Sequence, residues 1–157
     1  MNALLIFLLV FLFDRLSKAW AFHILADNVL APFYGCNFTL TWNTGISWGI
    51  FASDSKTVYY LLVCLIGITI SGLLVYTVRR ALRFQSTIFE TMALTGALSN
   101  LIDRFFYGAV IDFIHLYIGS YSFPVFNLAD IAIVIGACGI IAHSYEKEMH
   151  GCYKNRG

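Results

Sequence analysis

The chain has 157 residues, 59% of them hydrophobic and 12% charged, where a soluble domain carries about 25% charge. Ten basic against nine acidic residues leave a net charge of +1, so no basic excess points to nucleic acid. The length fits one domain, read as a single membrane-embedded unit over 1–157. The first apolar segment runs from Ala3 to Ile24, near the roughly 20 residues that cross a hydrocarbon core. "AWA" at Ala19–Ala21 has the small-x-small look of a cleavage site, but Asp14, Arg15 and Lys18 interrupt the apolar run and no basic residue precedes it. The segment is therefore expected to stay as a helix. In the connection that follows, about 25–57, "FTLTWNTG" (Phe38–Gly45) alternates as a strand does. The second apolar segment, Val58–Val78, is the cleanest, and a short basic loop, 79–86, leads to the third, Thr87–Phe106, which is unusually polar. The connection 107–122 carries "VIDFIHLYI" (Val110–Ile118), again strand-like. The fourth segment is Phe123–His143, and a tail, 144–157, ends the chain.

Backbone polar groups in lipid must be satisfied within their own segment, so unbroken apolar runs predict helices rather than alternating barrel strands. The expected fold is an all-α integral membrane protein: a four-transmembrane-helix bundle with a small extracytoplasmic β-sheet formed by the outer connections. Arg79, Arg80 and Arg83 crowd the second loop, and Lys147, Lys154 and Arg156 sit in the tail. The first connection has only Lys56, and the third has no basic residue after Arg104. The positive-inside rule then places that loop and both termini in the cytoplasm and the two longer connections outside.

This topology sends the polar residues of the spans to one depth. Asp14 and Lys18 fall in the outer half of helix one, four apart and thus able to pair. Asn100, Asp103 and Arg104 come at the outer end of helix three, and Asn127 and Asp130 within the first two turns of helix four, with Asp112 just before it. A charge buried in lipid costs roughly 2.5–3.5 kcal/mol, so such residues face one another or water. Arg15 and Lys56 read as headgroup or helix-gluing residues, Asp103 with Arg104 as an ion pair or a direct participant, and Glu90 as interfacial. Asp112 and Asp130 have no basic residue nearby in sequence. Two carboxylates brought together in a low dielectric cannot both ionise easily, which yields one acid and one base, the pairing that peptide hydrolysis needs.

Other chemistries fit less well. "GISWG" (Gly45–Gly49) matches the nucleophile elbow, but that motif needs a strand–turn–helix in an α/β sheet, which disfavours Ser47. A Ser–Lys dyad of Ser47 or Ser17 with Lys18 is little better. Asp112, His115 and Asp130 are possible zinc ligands, yet no H-E-x-x-H occurs, and no metal is expected. Cys36, Cys64, Cys138 and Cys152 lack metal spacing and read as small apolar side chains. The rival functions are a small proton- or cation-coupled transporter, whose site would lie nearer the midplane between repeats, and a non-catalytic scaffold.

Five motif blocks, in order, carry a resemblance: "DRLSK" with Asp14 and Lys18, "NTGISWG" with Asn43, Gly45 and Gly49, "TGALSNLIDR" with Gly96, Ala97, Asn100, Asp103 and Arg104, "VIDF" with Asp112, and "FNLAD" with Asn127, Ala129 and Asp130. On these the chain resembles the lipoprotein signal peptidases (signal peptidase II) from end to end. The resemblance implies an aspartyl endopeptidase of the bacterial cytoplasmic (inner) membrane, with its active site near the outer face and no cofactor. Its substrate would be a diacylglyceryl-modified prolipoprotein, cut just before the lipidated cysteine, and globomycin-type inhibitors would occupy the substrate groove. Asp112 and Asp130 match the catalytic pair; Asn43, Asn100, Arg104 and Asn127 match positions that line the site or hold the substrate backbone; Asp14, Lys18, Gly45 and Asp103 support it. The sequence departs from the family pattern at Arg15 (usually Gln), Ser47 (Ala), Trp48 (Phe), and Thr95 and Ser99 (glycines). The last two are expected to loosen or tilt helix packing.

Overall fold

The computed structural model describes residues 2–45 and 56–154, with side chains described to residue 146. Four helices dominate: α1 (Ala3–Ile24), α2 (Lys56–Leu82), α3 (Ile88–Tyr107) and α4 (Leu128–Lys154). Two connections contribute four strands, β1 (Leu30–Phe33), β2 (Cys36–Asn43), β3 (Val110–Ile118) and β4 (Tyr121–Ser122), in one antiparallel sheet of order β1-β2-β3-β4. Both strand-like sequences are strands. Ser47, Trp48 and Gly49 lie outside the described residues.

The packing is inside-out. On α1 the buried stripe is Ile6, Asp14, Lys18 and Ala21, while Leu4, Leu8, Leu12, Phe13 and Leu16 are exposed. The large apolar side chains therefore look outward and the charged ones inward. Among the described residues, two helical stretches, Lys56–Leu82 and Leu128–Glu146, are long and apolar enough to cross a membrane by composition alone. The charges that α1 and α3 turn inward keep those two helices from meeting the same test.

Helix α3 packs against all three other helices, and its buried residues are small or polar: Thr91, Ala93, Thr95, Gly96 and Ser99 among them. Glycine sets its separation from α4. A Cβ at Gly136 would stand 2.6 Å from Ala93 N and Phe89 O, and one at Gly96 would collide with the Ala129 carbonyl. Close backbone approach through small residues is how helices associate without a hydrophobic gain. Gly108 ends α3 in the left-handed conformation (φ 71°), its N–H donating to the Arg104 carbonyl at 3.0 Å. A small apolar cluster of Ala21, Leu25 and Phe113, flanked by Phe38, Leu40, Ile114 and Leu128, joins the end of α1 to the sheet.

Three boundaries differ from expectation. Helix α2 runs to Leu82, α4 begins at Leu128 rather than Phe123, and α4 continues to Lys154 where a tail was expected after His143. The reason for the second is local. Phe126 bridges Ile114 of β3, with Ile114 N–H donating to Phe126 O at 2.8 Å and Phe126 N–H to Ile114 O at 3.0 Å. The apolar run thus starts as extended chain beside β3 and turns helical only after Asn127.

Candidate active site

The site rests on a buried ion cluster. Lys18 Nζ lies 2.8 Å from Asp14 Oδ2 and 2.7 Å from Asp103 Oδ2, and all three side chains are fully buried. Arg15 Nη1 completes the cluster, 2.6 Å from Asp103 Oδ1. Two cations thus balance two anions. A buried charge is tolerable only when paired and hydrogen-bonded, and here the remaining valences are filled. Ser99 Oγ donates to Asp14 Oδ2 at 2.6 Å, and the Ala129 N–H donates to Asp14 Oδ1 at 2.8 Å. The second bond ties α1 to the first turn of α4, where a carboxylate also meets the positive end of the helix dipole.

Two expectations change, and one open alternative is decided. Asp103 pairs with Arg15 and Lys18, not with its neighbour Arg104, because adjacent residues on a helix point apart. Of the two readings left open for Arg15, headgroup or helix glue, the structure has the second, since it reaches Asp103 and Ser99 of α3. Ser99 does not loosen the bundle; its hydroxyl is a member of the cluster, and Thr95 is sealed in with its hydroxyl on the Thr91 carbonyl at 2.6 Å. Glu90, expected at the inner interface, is 2% exposed and paired with Arg80.

From this base the geometry climbs to the two aspartates. Lys18 Nζ also donates to Asn100 Oδ1 at 2.7 Å, which turns the Asn100 amide nitrogen toward Asp130 Oδ1 at 2.9 Å. Asn127 precedes α4 and caps it. Its Oδ1 accepts the Asp130 N–H at 2.9 Å, and its own N–H donates to Asp130 Oδ2 at 3.2 Å, a reciprocal capping box. The Asn127 Nδ2 reaches the other way, to Asp112 Oδ1 at 2.6 Å. Asn43 Nδ2, across the β2–β3 ladder, donates to Asp112 Oδ2 at 2.9 Å. The β3–β4 hairpin and the Ile114–Phe126 bridge fold the intervening chain back, so that Asp112 on β3 and Asp130 on α4 share one asparagine.

Arg104 stands at the rim. It donates to Gly45 O at 2.6 Å and Asn43 O at 3.3 Å, while the Gly45 N–H donates to Asn43 Oδ1 at 3.1 Å. Arg104 therefore clamps the end of β2 and holds Asn43 in place. Tyr59, which the sequence did not single out, fixes α2 to the Arg104 carbonyl at 2.5 Å. All ten residues singled out for the site are thus in one connected set. His115 instead contacts Ser122 Oγ at 2.6 Å, and its odd offset from Asp112 puts it on the opposite face of β3.

The two carboxylates differ in setting. Asp112 is 1% exposed, whereas Asp130 is partly open. Burial first, and then the Asp130 charge, push Asp112 from the ordinary 3.8 up to about 7, against the donors Asn43 and Asn127 that favour its ionised form. Two cavities meet at Asn43 and Asp130. One, about 410 Å³, is walled by Leu116, Phe123, Phe126, Ile131, Val134 and Ile135. The other, about 390 Å³, is walled by Leu65, Ile66, Ile70, Leu101, Ile133 and Val134 among others. The two carboxyls, linked through Asn127, thus sit beside two largely apolar spaces, a setting that suits activation of water next to a bound chain.

Comparison with known proteins gives a consistent picture. Residues 6–146 match the family described as Signal peptidase (SPase) II. A lipoprotein signal peptidase of Methylorubrum extorquens is 39% identical over 137 residues, covering 83% of this chain and 78% of its own. One from Xylella fastidiosa is 38% identical over 141 residues, 87% of this chain and 84% of its own. A solved bacterial membrane enzyme superposes with a TM-score of 0.71 at 26% identity, covering 93% of this chain and 88% of the other.

Proposed function

The chain belongs to the signal peptidase II family, and from that premise we propose that it is an aspartic endopeptidase that removes the signal peptide from diacylglyceryl-modified prolipoproteins. The observation that carries the reading is the single asparagine, Asn127, hydrogen-bonded to both Asp112 and Asp130. Asp112 and Asp130 are the catalytic pair. The ionised member takes a proton from water as the water oxygen attacks the carbonyl carbon. The protonated member donates to the carbonyl oxygen, giving a tetrahedral diol. Collapse of the diol breaks the C–N bond: a diol hydroxyl returns its proton to the member that had donated one, while the other member gives the proton taken from water to the departing amine of the lipidated cysteine. The pair ends as it began, so no cofactor enters.

Asn43, Asn100, Arg104 and Asn127 orient the pair and face the substrate backbone, with Asp14, Lys18, Gly45 and Asp103 supporting them. The apolar cavities beside Asp130 suit acyl chains and the hydrophobic residues of a signal peptide, and they are the spaces that globomycin-type inhibitors would fill. The enzyme crosses the bacterial cytoplasmic membrane four times. The exposed leucines of α1 support its passage through lipid despite its charges, which all face the protein. Both termini and the 79–86 loop lie in the cytoplasm, and the sheet and the aspartates lie near the outer face, where a lipid-anchored substrate keeps its scissile bond.

The test supplies purified protein with a lipidated prolipoprotein peptide and its unlipidated twin. Mass spectrometry should find a product that begins at the diacylglyceryl cysteine, from the lipidated peptide only. A tag within 79–86 should report the cytoplasm, and one within 25–45 the outer side. Absence of cleavage, with proton or cation flux in its place, would instead support a transporter.

A further inference from the structure

At the end of the bundle opposite the aspartates, a cavity of about 500 Å³ opens between the close of α2, the 79–86 loop and α4. Arg80, Arg83, Gln85, Ser86, His143 and Ser144 line it, with Tyr76, and among the described residues no carboxylate does. Arg80 is only 9% exposed. Glu90 holds one end of its guanidinium, and Tyr76 lies against its face at 5.9 Å. Its Nε is, among the described residues, the one buried side-chain polar atom with no hydrogen-bond partner. A buried donor left unmade is unfavourable enough to call for an acceptor. The lining offers donors from a guanidinium, an amide and hydroxyls, the set that recognises phosphate oxygens.

A second observation stands beside the first. The N–H of Gln85 donates to Arg80 O at 3.1 Å and that of Phe84 to Ala81 O at 2.9 Å, the Schellman pattern that closes a helix. Its left-handed position is normally glycine; here it is Phe84, with φ 55° and a fully exposed ring. Such a ring in water is doubly unfavourable, by backbone conformation and by exposure. At a membrane surface it sits where aromatic residues anchor to the headgroup level.

We propose that the cavity between α2, the 79–86 loop and α4 binds the phosphate ester of an anionic phospholipid headgroup in the cytoplasmic leaflet, with Phe84 inserted beside it. The site rests on the membrane-spanning reading above but not on the chemistry of the aspartates. Arg83, the cavity hydroxyls and the Arg80 Nε donate to the phosphate oxygens, with the Arg80 guanidinium held in place by Glu90.

The test uses the full chain in a neutral detergent, with native mass spectrometry counting the phosphatidylglycerol or phosphatidylcholine molecules retained. Parent protein should retain phosphatidylglycerol roughly tenfold more tightly than phosphatidylcholine. Arg83→Gln, and Ser86→Ala with Ser144→Ala, should lose most of that preference while peptide cleavage persists. Arg80→Gln risks misfolding by orphaning Glu90, so Arg80→Lys, which keeps the ion pair and removes Nε, is the folding-safe variant and should show the same loss. Equal retention of both lipids by the parent, or an unchanged preference in the variants, would overturn the site. Equally tight binding of soluble glycerol phosphate would overturn the lipid assignment. Because cleavage is measured in parallel, a failed lipid site and a failed peptidase reading give different results.

Discussion

Asn127 holds Asp112 through its side-chain amide at 2.6 Å. The same residue caps α4 and grips Asp130 by a reciprocal pair of bonds. One side chain thus sets the approach of a strand carboxylate to a helix carboxylate. Asn127→Ala should lower kcat/KM by about 10²-fold, the scale expected when reacting groups are displaced by an ångström. Asn127→Asp adds a third carboxylate and should also move the pH profile of cleavage upward, because a neighbouring negative charge disfavours ionisation. Steady-state assays from pH 5 to 9 check both.

The raised Asp112 value gives stability a definite sign with pH. The group titrates near 3.8 unfolded and near 7 folded. Between these values the folded protein binds more protons than the unfolded chain, so stability falls as pH rises through this window and levels off above it. The total is on the order of a few kcal/mol. Thermal melting in detergent should show this fall in the parent, and a distinctly shallower one in Asp112→Asn. Cleavage should decline above about pH 7 for the related reason that Asp112 then gives up the proton the acid step needs.

The buried ion cluster should be costly to unbalance. Lys18→Met leaves Asp14 and Asp103 buried with less cation than they need, and should cost about 3–5 kcal/mol, read as a large fall in melting temperature or as failure to accumulate in the membrane. Ser99→Ala removes only one donor to Asp14 and should cost about 1–3 kcal/mol. The order of the two, measured by thermal melting, is the check.

Glycines should divide sharply by place. Gly136→Ala puts a methyl against Ala93 N and Phe89 O, where neither backbone atom can yield. It should destabilise by about 1–3 kcal/mol through overpacking. Gly67 and Gly72 on α2 have nothing within 4 Å of an added Cβ, so alanine there should be neutral or slightly stabilising through helix propensity. Melting temperatures of the three variants separate a tight α3–α4 seam from an open α2 face.

Much of this site is legible in the linear chain, because lipid makes charge conspicuous. Asp14, Lys18, Asn100, Asp103, Asp112 and Asp130 stand out against apolar surroundings, and the order of the segments, with Asp112 in the connection before the fourth, is enough to expect them together. Partner choice is not legible. Whether Asp103 meets Arg104 or Lys18, or whether Ser99 reaches Asp14 rather than easing a helix contact, depends on how each helix is rotated about its axis. Those contacts join residues 85 apart in the chain for Ser99 and Asp14, and 88 apart for Arg15 and Asp103. The start of α4 is hidden for a similar reason. Nothing within Phe123–Phe126 forbids a longer helix except Pro124 early in it; the bridge to Ile114, formed across the turn, is what keeps that segment extended.

The most direct measurement is cleavage of a diacylglyceryl prolipoprotein peptide by parent, Asp112→Asn and Asp130→Asn proteins purified in the same detergent, with melting curves to show that each is folded. The parent should cut before the lipidated cysteine, and each variant should lose at least about 10³-fold in rate, since removing either carboxylate removes the acid or the base. Rates within a few-fold of the parent in either folded variant would contradict the assignment of the aspartate pair.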